Sequence, residues 1–226
     1  MRTSDKEPSA SPARSSADNP TCLAIKSPCA IALFLLVLAA GLAGDLASKH
    51  YAFKVLMNDP DLPQRVEALR AQHGPALPPQ HVLAELHLHR QIIPGVQFTL
   101  STNPGVVFGT PMPWPLVAAA TIVAVAMVCV FFAVSSARAR WTHAALALIT
   151  AGAMGNLYDR LVVQTVLPGL EPIRHHVRDF IDCSQIGYKW IFNLADAYLV
   201  IGVAMLVLQW LWDGRRAAKA RADATA

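Results

Sequence analysis

The chain of 226 residues is 54% hydrophobic and only 15% charged, with a mean hydropathy of +0.38. A water-soluble domain carries about 25% charged residues, so this composition excludes an ordinary soluble enzyme and makes lipid the solvent for much of the chain. The net charge of +4 and a pI near 9.0 would suit a nucleic-acid binder, but the basic residues flank apolar runs, as membrane topology requires, and no nucleic-acid partner is expected.

Residues 1–27 are rich in Ser, Ala, Pro and scattered charge, lack apolar periodicity, and read as a disordered cytoplasmic tail. The first apolar run, Pro28–Gly44, extends as a helix to about Ala47 and follows Lys26, as an uncleaved signal anchor would. Cys22 lies before this run and Cys29 at its very start, whereas a lipoprotein's own cysteine follows its apolar run. With Cys129 inside an apolar run and Cys183 alone on the outer side, no disulfide is expected. A long insert around residues 54–97 comes next. Asp59–Pro79 is Pro- and Ala-rich with a short helix around Arg65–Gln72, and Gln91–Leu100 alternates apolar and polar residues and reads as a strand. Leu116–Val134 is the cleanest later span. Thr142–Val162 is a weaker one, because Asn156, Asp159 and Arg160 crowd its far end, and Trp190–Trp212 is interrupted by Asn193, Asp196 and Gln209. Each reaches roughly 20 residues, enough for about 30 Å of hydrocarbon. Residues 214–226 read as a basic cytoplasmic tail.

Orientation follows from positive charge. Lys26 precedes the first span, Arg138 and Arg140 lie between the second and third, and Arg215, Arg216, Lys219 and Arg221 follow the fourth. Both termini and the middle loop are therefore expected in the cytoplasm, with Lys54–Trp114 and Leu161–Lys189 outside. Trp114 and Trp190 then suit the outer interface, and Trp141 and Trp212 the inner one.

Under this topology the polar residues gather at one membrane face: Asp45, Lys49, Asn103, Gly105, Asn156, Asp159, Arg160, Asp179, Asp182, Asn193 and Asp196. Singly, most have structural readings. Asp45 and Lys49 form an i,i+4 pair, and Arg160 suits a snorkelling anchor. Asp196 lies one or two turns into an apolar helix, where topology gives no reason for a carboxylate and function does. Two carboxylates can hydrolyse a peptide bond without metal by sharing one proton: the ionised member takes a proton from water while the protonated one donates to the carbonyl oxygen. The candidates are Asp196 with Asp159, Asp179 or Asp182, and spacing alone does not choose among the three.

The motifs are more specific. Gly155-Asn-Leu-Tyr-Asp-Arg160 resembles the GNxxDR motif of the lipoprotein (type II) signal peptidases, Val177-Arg-Asp-Phe180 their VxDF motif, and Phe192-Asn-Leu-Ala-Asp196 their FNxAD motif. Asp45-Leu-Ala-Ser-Lys49 is similar to their DxxxK element, and Asn103-Pro-Gly-Val-Val-Phe-Gly109 to their NxGxAFG element, with Val107 in place of Ala. The resemblance covers roughly Ala30–Trp212 outside the long insert. It implies that Asp179 and Asp196 are catalytic, that Asp159 is structural, and that Asp45, Lys49, Asn103, Gly105, Asn156, Arg160 and Asn193 bind substrate or support the site. It implies an all-α membrane fold: a four-transmembrane-helix bundle with a small outer-face β-cradle and a long periplasmic insert. The substrate implied is a prolipoprotein whose cysteine bears diacylglycerol, cut just before that cysteine. The enzyme would be a cofactor-free monomer of the bacterial inner membrane, in contact with lipid, with its site near the periplasmic face. The N-terminal tail and the Phe53–Leu100 connection are longer than the family norm.

Rival readings are weaker. His81, Glu85, His87 and His89 cluster in the insert, and His175 and His176 lie near Asp179, but no HExxH is present and no metal site is expected. No GxSxG element supports a serine nucleophile. A small membrane transporter would show repeats or broken helices, which this sequence lacks, and an inactive scaffold would not need both Asp residues.

Overall fold

The structure is a computed structural model, and it describes residues 22–74, 77–105 and 112–225. Expectations for residues 1–21 and for Val107 lie outside the described residues. The elements in order are α1 (Pro28–Met57), α2 (Leu62–His73), α3 (Pro79–Glu85), β1 (His89–Ile93), β2 (Val96–Asn103), α4 (Trp114–Val134), α5 (Arg140–Val162), β3 (Gln164–Thr165), β4 (Ile173–Arg174), β5 (Val177–Asp182), β6 (Ile191–Phe192) and α6 (Leu194–Thr225).

Among the described residues, three helices are long and apolar enough to cross a membrane: α1, α4 and α6. The chain is thus a mostly helical membrane protein with a small sheet. The helix α5 is of similar length but carries His143, Asn156, Asp159 and Arg160. It packs against α6, α1 and α4, and those neighbours cover its polar side chains. Small residues make this possible. A Cβ on Gly41 would lie 2.9 Å from the Ala151 Cβ, and one on Gly202 would lie 2.8 Å from the Ala145 carbonyl. Close backbone approach of this kind is how helices associate where lipid removes the hydrophobic drive.

Two helices are longer than their apolar runs. The Ser27 hydroxyl accepts the Ala30 N–H at 3.3 Å and Pro28 supplies a preset φ at the first turn, which fixes the start of α1. Its far end continues ten residues past Ala47, because Ala52, Phe53 and Leu56 bury their side chains beneath the insert. The last helix begins at Leu194, not at Trp190, since Ile191 and Phe192 pair with Asp182 and Ile181 as a strand. It then runs through the basic segment to Thr225, which the Ala-rich sequence favours as helix rather than tail.

The segment Gln91–Leu100, expected as one strand, is a hairpin. Pro94-Gly95 breaks it, with Gly95 at φ 86°, and β1 and β2 pair antiparallel on either side. The sheet order is β1-β2-β5-β6, with Ser101 opposite Asp179 and Asn103 opposite Val177. The helix expected around Arg65–Gln72 is present as α2, and α3 follows with Pro79 in its first turn. The insert is held on the sheet by an apolar core in which Leu62, Val66, Val82 and Leu86 meet Phe53, Leu100 and Phe180.

A smaller apolar core closes the opposite end of the bundle, where the Phe34 and Phe132 rings meet at 4.4 Å, tilted by 34°. Within the segment expected to be disordered, Ala24–Lys26 forms a 3-10 turn, and Ala24 is fully buried. Its N–H donates to the Ser135 carbonyl at 2.8 Å, and the Ala137 N–H donates to the Cys22 carbonyl at 2.8 Å. These backbone bonds outweigh the local composition.

Candidate active site

The site lies where the start of α6, the end of α5, the sheet and the outer part of α1 meet. Asn193 stands just before α6. Its side-chain oxygen accepts the Asp196 backbone N–H at 3.1 Å, while Asp196 Oδ2 accepts the Asn193 backbone N–H at 3.2 Å. This reciprocal capping satisfies two helix-terminal donors and fixes both side chains. It also leaves the Asn193 amide to donate to Asp179 Oδ1 at 2.6 Å. One asparagine therefore touches both carboxylates.

The other Asp196 oxygen accepts the Asn156 amide N–H at 2.9 Å. Asn156 is turned that way by Lys49, whose ammonium donates to Asn156 Oδ1 at 2.9 Å. An ammonium has no acceptor, so it dictates which end of the amide faces it. Lys49 is fully buried, bonds Asp45 at 2.8 Å and lies 3.5 Å from Asp159. Asp45 in turn accepts the Ala195 N–H at 2.9 Å, so a second carboxylate serves the positive end of α6.

Three aspartates competed at the sequence level to partner Asp196, and their surroundings differ. Asp159 is fully buried and saturated: Arg178 donates to its Oδ1 from Nη2 at 2.7 Å and from Nε at 3.2 Å, and to its Oδ2 from the backbone at 3.0 Å. Asp182 is favoured as an anion. Burial pushes its pKa up, but bonds from Gln97 at 2.7 Å, the Ser184 N–H at 2.8 Å and Thr99 at 2.8 Å prevail and hold it at about 2. Asp179 is the opposite case. It is 4% exposed, and burial first, then the charge of Asp196, push its pKa up to about 7 against hydrogen bonds from Asn193 and Asn103. Of Asp179 and Asp182, Asp179 is the one built to hold a proton at neutral pH.

Asn103 and Gly105 reach the same place. The Gly105 N–H donates to Asn103 Oδ1 at 2.9 Å, and Arg160 donates to the Gly105 carbonyl and to the Asn156 carbonyl, the latter at 3.3 Å. Arg160 is buried within the electrostatic reach of Asp179 and Asp196. All nine sequence-derived site residues thus converge. Arg178 was missed. Its signal was its place beside Asp179, on the opposite face of a strand. His175 was read only as a metal candidate, yet its ring stacks on Trp114 at 3.9 Å and its Nδ1 lies 2.9 Å from the Arg160 carbonyl. His176 lies 3.1 Å from the Thr102 hydroxyl, and burial, with help from Arg160 and His175, lowers its pKa. Among the described residues, no group of three or more His, Cys, Asp or Glu could hold a metal ion, and Glu85 pairs instead with His73 at 3.0 Å.

Comparison with known proteins fits this geometry. The family described as "Signal peptidase (SPase) II" matches residues 37–212, a stretch that contains every site residue named above. The chain is 33% identical over 131 residues to the lipoprotein signal peptidase of Aquifex aeolicus, covering 55% of this chain and 71% of that one. It is 31% identical over 141 residues to that of Geobacter metallireducens, covering 60% and 80%. Two solved structures described as bacterial membrane enzymes share the fold. They give TM-scores of 0.57 and 0.55 at 22% identity, over 81% and 80% of this chain and 90% and 94% of theirs. The chain belongs to the signal peptidase II family, bacterial membrane aspartic proteases that process lipoproteins.

Proposed function

We propose that Asp179 and Asp196 form the catalytic dyad of a peptidase that removes signal peptides from diacylglyceryl-modified prolipoproteins, cutting just before the lipidated cysteine. The observation that carries this reading is the shared Asn193, 2.6 Å from Asp179 Oδ1 and with its N–H 3.2 Å from Asp196 Oδ2, beside a pKa of about 7 at Asp179. Asp179 holds the shared proton. Asp196, then a carboxylate, takes a proton from a water that attacks the scissile carbonyl, and Asp179 donates to the carbonyl oxygen. When the tetrahedral adduct collapses, the proton on Asp196 passes to the leaving amine of the cysteine, and the hydroxyl proton returns to Asp179 as the carbonyl re-forms. Asn156 and Asn193 fix the carboxylates, and Arg160 stabilises charge near them. One chain carries both carboxylates, so a monomer suffices.

The same reading makes α5 a fourth spanning helix and places the sheet and insert on the periplasmic side of the inner membrane. The signal peptide, itself an apolar helix, enters sideways from the bilayer. A gel mobility shift with purified protein and a diacylated prolipoprotein tests the assignment. Wild type is expected to cleave, and Asp179→Asn and Asp196→Asn each to lose at least about 100-fold in rate. Normal cleavage by Asp179→Asn would end the dyad assignment. Cleavage in detergent also separates a peptidase from a transporter, which needs two compartments.

A further inference from the structure

Beside the site, along the outer face of α6, runs an open groove of about 410 Å³. Ile186, Tyr188 and Phe192 line it from the β5–β6 connection, and Ala197, Val200 and Ile201 line it from α6. Tyr188 and Phe192 meet edge to face at 5.6 Å. Asp196 also lines the groove, and the α6 positions i, i+1, i+4 and i+5 from it form one stripe. The groove therefore starts at a carboxylate of the site and follows the helix for roughly 8 Å toward the middle of the span.

We propose that this groove seats one fatty-acyl chain of the substrate's diacylglyceryl group, and so registers the lipidated cysteine against the carboxylates. The proposal rests on the peptidase reading above. Size argues against the signal helix as occupant. A helix about 10 Å across fills roughly 400 Å³ in a single turn, so the groove holds one turn of a segment that needs several, whereas a thin chain runs its whole length. Continuity argues against bulk lipid. The acyl chains hang from the residue after the scissile bond, so a groove opening at Asp196 meets them at high effective concentration. The surrounding lipid is as apolar as the lining, so the groove contributes packing and orientation rather than partition. Its effect belongs in kcat/KM.

The test compares wild type with Ala197→Trp and Val200→Trp on two prolipopeptides that differ only in acyl length, one with long and one with very short glyceryl chains. Ala197 is half-buried and Val200 is exposed, so either indole fills the groove without entering the bundle. The expected result is a loss of roughly tenfold or more in kcat/KM on the long-chain substrate, with less than about twofold on the short-chain one. Equal loss on both, or no loss on either, overturns the acyl groove while leaving the peptidase intact. A wild type inert on both overturns the peptidase reading and the groove with it. Cys183, a half-buried free thiol in the groove wall, gives a second readout. With Cys22, Cys29 and Cys129 changed to Ser, a long-chain diacylglyceryl-cysteine peptide should slow maleimide labelling of Cys183 and a short-chain one should not. Labelling that ignores chain length would mean that ordinary lipid fills the groove, and the proposal would fail.

Discussion

Asp179 combines burial with an adjacent like charge, and both act on stability as well as on chemistry. Its pKa is raised in the folded state, so the stability linked to its proton is fully present below about pH 4 and is lost as pH rises through about 7. Activity needs that proton too, so kcat should fall on the alkaline side of about pH 7, as a pH–rate profile on a fixed substrate would read. Asp179→Asn removes the buried charge while leaving an amide oxygen that still accepts from Asn193. It should be inactive yet melt higher than wild type at pH 8, with the gain shrinking toward pH 4; a thermal shift in detergent at both pH values decides this. Asp159 predicts the reverse. Arg178 and Lys49 are donors only, so Asp159→Asn offers them an N–H in place of an oxygen and should cost about 3–5 kcal/mol, read from thermal unfolding, with residual cleavage in the folded fraction. Spacing could not separate Asp159, Asp179 and Asp182, because what distinguishes them is their hydrogen-bond partners Arg178, Asn193 and Gln97, which tertiary contacts bring in. The motif resemblance did separate them.

At the level of elements, the contact of α5 with α1 and α6 sets the distance between the carboxylate-bearing parts. Gly155 faces Asp45, and a Cβ there would lie 3.0 Å from the Asp45 carboxyl carbon and closer still to Oδ2. Asp45 cannot yield freely, since it holds both Lys49 and the Ala195 N–H. Gly155→Ala should therefore cost about 1–3 kcal/mol and disturb the start of α6, lowering kcat more than it raises KM. Gly152→Ala would strike the Ala195 carbonyl and serves as the companion variant: a rate unchanged in both would show that α5–α6 spacing does not control the site. Element lengths were partly legible in the sequence. Apolar runs located the helices, but their ends were set elsewhere: by insert packing on Phe53 and Leu56, and by the pairing of Phe192 with Ile181. The hairpin at Pro94-Gly95 was written in turn chemistry yet read as a continuous strand, because the alternation on either side runs through it. The pairing of β2 with β5 joins distant segments, so sheet order was beyond any local pattern.

Across the whole molecule, the two apolar cores sit at opposite ends, and the helices between them present Leu36, Ile122, Met127 and Val203 outward. The end away from the carboxylates collects the basic residues. Lys26 adjoins the turn that pairs with Ser135 and Ala137, Arg138 and Arg140 lead into α5, and Thr142 bonds Gln209 at 2.7 Å, which brings the basic end of α6 to the same side. Arg216 lies 5.3 Å over the Trp212 ring, an arrangement suited to an interfacial aromatic with a cation reaching water. Under the proposed orientation, charge bias in short loops turns this end toward the cytoplasm and the carboxylates toward the periplasm. Reporter fusions test it directly: an enzyme that works only outside the cytoplasm should be active when fused at exposed Gly169 and silent after Thr225, and a cytoplasm-only reporter should give the opposite pair. The reversed pattern would put Asp179 and Asp196 on the wrong face for a substrate lipidated in the outer leaflet, and the dyad chemistry would then need a different peptide. A reporter active at both positions would instead mean that α6 does not span, since its single crossing between Gly169 and the C-terminus is what separates them.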